Sequence, residues 1–160
     1  MSTFLTNVPV WVLPLFILLV SLGWRASKDR TVPLFLIYLL PLLGLITASN
    51  LYALAPKPVI WAIATLAYGI GVFMGMTLQR RWTLSRGARI VQVKGEWVTL
   101  TAMMIIFAAG FVNGTVSAIA PDITGTMLYL ALFAGVACLP SGHFLGRAIT
   151  IAQTPLTKGV

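Results

Sequence analysis

Few side chains in this sequence could do chemistry, and a histidine is the most reactive of them. His143 is the only histidine among 160 residues, and an imidazole can relay protons or bind haem or a metal ion. Arg147 follows four residues later, and its charge disfavours a second cation beside it, so we interpret His143 as a neutral imidazole. A metal or haem site would need ligands from other subunits, so we predict no cofactor.

The serine beside this histidine does not complete a catalytic group. Ser141-Gly142-His143 has no acid next to it in the sequence, and the chain has no Gly-x-Ser-x-Gly motif. We expect the Ser141 hydroxyl to donate to a carbonyl of the preceding helical turn, next to Pro140. The sequence therefore predicts a protein that is not an enzyme.

These residues belong to a chain that is too apolar for a water-soluble fold. Hydrophobic residues make up 59% and charged residues 9% of it, whereas soluble domains carry about 25% charged residues. Its apolar runs are long enough to cross a bilayer as helices. We predict an all-α, polytopic fold with a single transmembrane domain over residues 1–160. Its five helices are predicted at about residues 8–24, 32–49, 59–78, 97–119 and 126–149.

The acidic residues lie outside these runs. Asp29, Glu96 and Asp122 all fall in the predicted connections. Ion-coupled transporters use carboxylates within the membrane that gain and lose charge. Their absence from the predicted helices argues against coupled transport and leaves a passive pore or carrier open.

Basic residues predict the orientation of the chain. Ten of them flank alternate connections or the end of the last helix: Arg25, Lys28, Arg30, Arg80, Arg81, Arg86, Arg89, Lys94, Arg147 and Lys158. Only Lys57 lies on the other side. Because Lys and Arg are retained in the cytoplasm, the amino terminus is predicted outside and the carboxyl terminus in the cytoplasm.

Small residues predict how the helices pack. The third, fourth and fifth predicted helices carry stripes of small or weakly polar residues, and each stripe contains a Gly-x-x-x-Gly motif. The helix-packing residues are Gly71, Gly75, Gly110, Asn113, Gly114, Ser117, Gly135, Gly142 and Gly146. We expect these three helices at the packed centre and the first two at the periphery, with packing either within one chain or in a homo-oligomer or partner complex.

Asn113 is the polar residue of greatest interest within the predicted helices. It lies one turn before Ser117, and we place Tyr68 of the third helix opposite it. A buried amide needs a partner, so we interpret Asn113 as a hydrogen-bonding link between helices. Contact with a substrate is the alternative, in which His143 and Tyr68 would take part.

Prolines interrupt three predicted helices, at Pro14, Pro41 and Pro140. Each removes a backbone donor and frees a carbonyl one turn earlier. Broken helices line substrate sites in transporters, although proline is also frequent in ordinary membrane helices. Plain kinks are the simpler interpretation.

The longest connection, residues 79–96, combines cations with a β-branched segment. Ile90-Val91-Gln92-Val93 followed by Lys94-Gly95 predicts a short strand and turn at the inner surface. An amphipathic interfacial helix is the alternative, and the glycines disfavour it. The candidate contacts for anionic lipid headgroups are Arg80, Arg81, Arg86, Arg89 and Lys94, which could instead serve only to set topology.

Three segments carry a resemblance to a known group of proteins. They are Pro9-Val10-Trp11-Val12, the run from Ile90 to Trp97, and Phe144-Leu145-Gly146-Arg147-Ala148. In these the chain resembles a family of small bacterial inner-membrane proteins of about this length with a domain of unknown function. It is more distantly similar to membrane proteins associated with cytochrome c biogenesis. The resemblance implies a bacterial inner membrane and supplies no catalytic residues.

Three functional hypotheses follow. The first is a non-enzymatic helix-bundle module that self-associates or joins a membrane complex, without nucleic acid as a partner. The second is a passive carrier or channel for a small or apolar molecule. The third is a redox or haem accessory protein, which depends on His143 and the distant resemblance.

Overall fold

The computed structural model describes residues 12–54 and 57–156. Four of its helices are long and apolar enough to cross a membrane: Leu34–Ala53, Pro58–Trp82, Val98–Ile119 and Met127–Gln153. A shorter apolar helix, Val12–Ala26, precedes them. Length and composition thus identify a mostly helical, multi-pass membrane protein. The predicted first crossing began at residue 8, and its residues 8–11 lie outside the described residues.

The elements are named here in chain order. They are α1 (Val12–Ala26), β1 (Arg30–Pro33), α2 (Leu34–Leu39), a 3-10 turn (Leu40–Leu42), α3 (Leu43–Ala53), α4 (Pro58–Trp82), β2 (Thr83–Arg86), β3 (Ile90–Val93), α5 (Val98–Ile119), α6 (Pro121–Thr124) and α7 (Met127–Gln153). The second predicted helix is therefore α2, the 3-10 turn and α3 in succession, and Pro41 lies within the turn. Pro140 lies inside α7 without ending it.

The helices extend beyond the apolar runs that predicted them. Residues 79–82 were assigned to the loop, but they form the last turn of α4. The last predicted helix ended at residue 149, whereas α7 continues to Gln153. Arg80 and Arg81 are stable in the final turn of α4 because cations favour the negative end of the helix dipole.

A three-stranded antiparallel sheet closes one end of the bundle, with strand order β1-β3-β2. The predicted strand at Ile90–Val93 is confirmed by β3. The turn predicted at Lys94-Gly95 is irregular backbone leading to α5, and β2 was not predicted. The third strand, β1, comes from the first connection and pairs Arg30 with Val93. The second predicted helix wrongly included Val32 of this strand, because its apolar side chain reads equally well as helix. Pro33 fits β1 because β1 is an edge strand.

The inner face of the sheet packs on the helices. Val91 and Val93 of β3 form a buried cluster with Ile37 of α2 and with Ala148 and Ile151 of α7. We refer to this part of the molecule as the sheet end. Lys57 lies before α4, at the opposite end.

The two helices at the centre, α4 and α7, run parallel with their backbones in contact. A methyl group on Gly142 would collide with the carbonyl of Tyr68, and one on Gly146 with the carbonyl of Val72. Gly71 and Gly75 are equally close to the backbone of α7, at Leu139 and His143 respectively. Two Gly-x-x-x-Gly motifs therefore allow these helices to approach closely.

The fourth predicted helix does not share this centre, which corrects the expectation of three equally packed helices. In the most apolar stretch of α5, 11% of residues are buried, against 56% in α7. The reason is that α7 contacts α4, α5 and the second span, whereas α5 has α1 and one side of α7 as its main neighbours.

Candidate functional site: a buried arginine network

A buried arginine makes the densest polar contacts at the sheet end. Arg147 donates from Nε to Oε1 of Gln79 at 2.8 Å and from a terminal nitrogen to Oε1 of Glu96 at 2.8 Å. The same nitrogen donates to the Thr99 hydroxyl. Its guanidinium lies 5.8 Å from the centre of the Trp82 ring, within cation–π range. We call these five residues the arginine network.

Three helix ends position the network. Gln79 and Trp82 lie in the last turn of α4, and Thr99 lies in the first turn of α5. Glu96 precedes α5, where its Oε2 accepts the backbone N–H of Thr99 at 2.7 Å. A carboxylate in this position accepts a backbone N–H that has no partner within the helix, and its charge is stabilised by the positive end of the helix dipole. Glu96 therefore caps α5 while it binds α7.

The connection that carries Glu96 is held against the end of α1. The Glu96 N–H donates to the carbonyl of Ala26 at 2.9 Å, and the Gly95 N–H donates to the Asp29 carboxylate at 2.6 Å. A side chain on Gly95 would collide with the carbonyl of Ser27. Only glycine allows the backbone to pass this close, so Gly95 helps to fix the position of Glu96.

The ion pair between Arg147 and Glu96 connects α7 to the start of α5. The two side chains are 4% and 5% exposed. Removing one partner from such a pair typically costs about 3–5 kcal/mol, because a charge stays buried without compensation. A guanidinium keeps its proton under all ordinary conditions, so the network positions α4, α5 and α7 and does not offer a proton donor.

The sequence position of His143, one turn before Arg147, predicts an imidazole at the membrane interface, but the structure buries it. It is 3% exposed, and its backbone lies against Gly71 and Gly75. The ring stands edge-on to Trp82, with centroids 6.5 Å apart, and its Nε2 has no hydrogen-bond partner among the described residues. The prediction failed because α4 and α7 both continue past their predicted ends, to Trp82 and Gln153, and His143 packs against α4.

The interhelical hydrogen bond expected of Asn113 is confirmed, with a different partner. The Tyr129 hydroxyl of α7 donates to Asn113 Oδ1 of α5 at 3.0 Å. Tyr68 was placed opposite Asn113, and this was wrong. Its ring lies near Gly44 of α3, and its carbonyl contacts Gly142. Ser117 is exposed on α5.

Two hydroxyl groups lie beside Pro140, which stands inside α7. Ser141 donates to the carbonyl of Ala137 at 2.8 Å, which confirms the predicted bond to the preceding turn. Its oxygen also lies 3.0 Å from the Thr47 hydroxyl of α3. This contact fills the space between α3 and α7 beside Pro140.

The remaining predicted packing glycines lie in open positions. A methyl group on Gly110, Gly114 or Gly135 would meet no atom within 4 Å among the described residues. Within the described residues, Gly110 and Gly114 of α5 thus border open space, whereas Asn113 of the same stripe contacts α7. Packing at these glycines stays a prediction.

The predicted lipid contacts fall into two groups. Arg86 donates to the carbonyls of Ala152 and Thr154, at 2.5 and 2.8 Å, and so caps the end of α7. The other four are exposed at the sheet end: Arg80, Arg81, Arg89 and Lys94. Their contact with lipid stays a prediction.

Sequence reasoning missed the partners in the arginine network, namely Glu96, Gln79, Thr99 and Trp82. Arg147 lies within an apolar helix and needed a partner. With three acids in the whole chain, Glu96 was identifiable as a candidate, but the loop assignment of residues 79–82 concealed the other side of the network.

The described residues contain no group of three or more His, Cys, Asp or Glu side chains that could hold a metal ion. Comparison of the chain with family models, with curated proteins and with solved structures gave no match.

Proposed function

We propose that this chain is a non-enzymatic, multi-pass module of a bacterial inner membrane that associates with a second copy of itself through the open face of α5. The supporting observation is the difference between its glycine motifs. The space beside Gly142 and Gly146 is occupied by α4, whereas a side chain at Gly110 or Gly114 would meet no atom of the described residues within 4 Å. Small residues allow close helix contact in lipid, where the hydrophobic effect does not drive association.

The mass of the protein in detergent or nanodiscs tests this proposal. We expect the wild type to be a dimer and Gly114→Leu to be a monomer, because a leucine side chain would separate the two backbones. Gly69→Leu is the matched control, since Gly69 is an equally open glycine on α4, and we expect it to remain a dimer. A monomeric wild type, or a dimer that survives Gly114→Leu, would contradict the proposal.

The proposal includes an orientation with the sheet end in the cytoplasm and five crossings. The basic residues Arg25, Arg80 and Arg89 lie at the sheet end and Lys57 at the other, a distribution that favours retention of the sheet end inside. The resemblance to small bacterial inner-membrane proteins supports this compartment.

Labelling with a membrane-impermeant maleimide tests the orientation. The single cysteine, Cys138, is buried, so Cys138→Ala provides a background without reactive thiols. Added to it, Asp122→Cys should be labelled in intact cells, and Lys28→Cys should be labelled only after permeabilisation. Labelling of both from the same side would overturn the topology.

A further inference from the structure

Asn113 of α5 has an amide nitrogen that the rest of the described chain leaves unpaired. Its Oδ1 accepts the Tyr129 hydroxyl of α7 at 3.0 Å, and this is the one side-chain hydrogen bond that Asn113 forms with the described residues. An amide also carries two N–H donors on its nitrogen and a second lone pair on its oxygen. Because Tyr129 holds the oxygen, both donors of Nδ2 are available to a partner from outside the chain.

This nitrogen lies at a depth where water does not replace the missing partner. α5 has 22 residues and ends at Ile119, and such a helix is about as long as the hydrocarbon core is thick. At about 1.5 Å per residue, Asn113 lies about 9 Å inside that end. A polar group without a partner in hydrocarbon is costly. The side chain is only partly buried within the chain, so another helix can reach it.

The residues around Asn113 leave room for such a helix. Gly110 and Ser117 lie one turn before and one turn after it, and Gly114 lies one turn after Gly110, so the four share one side of α5. A side chain at Gly110 or Gly114 would meet no atom of the described residues within 4 Å, and Ser117 is exposed. A neighbouring backbone can therefore approach closely enough for the short Asn113 side chain to bind it.

A second copy of the chain supplies an acceptor at the required depth. Two copies inserted in the same orientation are related by a two-fold axis along the membrane normal, so each residue lies at the same depth as its counterpart. On the face that contains Gly110 and Gly114, Asn113 then lies opposite the partner's Asn113. An asparagine side chain both donates and accepts, so two of them are complementary to each other.

We propose that the Asn113 amides of two copies bind each other, each Nδ2 donating to Oδ1 of the partner's Asn113. Each Oδ1 then accepts two bonds, one from the Tyr129 hydroxyl of its own chain and one from the partner's Asn113. The inference rests on the proposed association through α5 and adds the polar contact that fixes its register, a role that single asparagines have in coiled coils.

Energy transfer between donor-labelled and acceptor-labelled full-length protein in liposomes, over a range of protein-to-lipid ratios, tests the pair. We expect Asn113→Val to weaken association about tenfold, the effect of polar side chains on helix association in model membranes. Tyr129→Phe is the matched control, because it removes the same bond within the chain and keeps the amide. Its association should stay within about threefold of wild type. Equal weakening in the two variants would overturn the proposal, since the effect would then come from packing within one chain.

A mixed dimer distinguishes a reciprocal pair from two separate contacts. In a dimer of one wild-type chain and one Asn113→Val chain, a reciprocal pair loses both of its bonds. We therefore expect the mixed dimer to be as weak as the dimer of two variant chains. If each Asn113 instead bound a different residue of the partner, one contact would survive, and an intermediate affinity would contradict the pairing.

The same measurements separate this inference from the proposed function. A wild type with no more energy transfer than randomly distributed monomers would remove both. A dimer that Asn113→Val leaves as tight as wild type, and that Gly114→Leu still dissociates, would remove the Asn113 pair and leave the association through α5 in place.

Discussion

The helices α5 and α7 each carry a Gly-x-x-x-Gly motif, and the structure uses the two motifs differently. In α7, Gly142 and Gly146 lie against the carbonyls of Tyr68 and Val72 in α4. In α5, a side chain at Gly110 or Gly114 would meet no atom of the described residues within 4 Å. The motif by itself therefore indicates only that another helix can approach closely. Whether one does so within the chain depends on which helix lies beside the motif.

The contrast continues at the sheet end. There α7 carries Arg147, which binds residues from both α4 and α5, whereas α5 receives this contact only at its first turn, through Thr99 and the preceding Glu96. Substitutions on α7 should therefore change the stability of the chain, and substitutions on the open face of α5 should change only its association.

The largest effect is expected from Arg147→Ala. It leaves the Glu96 carboxylate buried without its cationic partner, so the free energy of unfolding should fall by about 3–5 kcal/mol. Denaturation of the purified protein in mixed micelles measures this change, and Arg89→Ala, at an exposed site, is the control. The double variant Arg147→Ala, Glu96→Gln should recover part of the loss. Equal stability of Arg147→Ala and Arg89→Ala would show that the arginine network does not stabilise the packing of the helices.

A smaller effect is expected from adding one methyl group to each motif. Gly142→Ala should lower the free energy of unfolding by about 1–3 kcal/mol, because α4 and α7 must move apart. Gly114→Ala should leave stability unchanged or raise it by up to about 1 kcal/mol, because alanine favours the helix and meets no atom. The same denaturation assay compares the two. The opposite order would mean that the α5 motif is the one filled within the chain.

The smallest effect on stability is expected at the hydrogen bond between α5 and α7. Tyr129→Phe removes the hydrogen bond to Asn113 and should lower the free energy of unfolding by about 0.6 kcal/mol, the average for such bonds in membranes. Tyr38→Phe, at an exposed tyrosine of α2, controls for loss of a hydroxyl elsewhere. A loss no greater than that of Tyr38→Phe would mean that the bond adds nothing to the contact.

The sequence predicts those features of the fold that depend on residues close together in the chain. Apolar runs gave four of the long helices, and Ile90-Val91-Gln92-Val93 gave a strand, because both signals are local periodicities. The stripe on α7 was visible for the same reason. Helix ends were less certain, since Gln79 and Trp82 are polar or amphipathic residues that a hydropathy pattern assigns to a loop.

Contacts between distant parts of the chain were beyond such reasoning. β1 forms a strand because β3 is available to pair with it, and nothing in Arg30-Thr31-Val32-Pro33 itself indicates this partner. The burial of His143 depends on Gly71, Gly75 and Trp82 of α4, which lie far from it in sequence. The same holds for Arg147, whose partners come from two other helices.

The pairing of β1 with β3 has a consequence for biosynthesis. The ribosome completes β1 long before it makes its partner strand, and at about 5–20 residues per second this interval lasts several seconds. During that time α4 has to enter the bilayer while the first strand waits unpaired at its surface. Glu96 likewise has no ion-pair partner until Arg147 of the last helix has been synthesised. A nascent chain that stalls before α7 would therefore lack the ion pair that holds the start of α5 to α7.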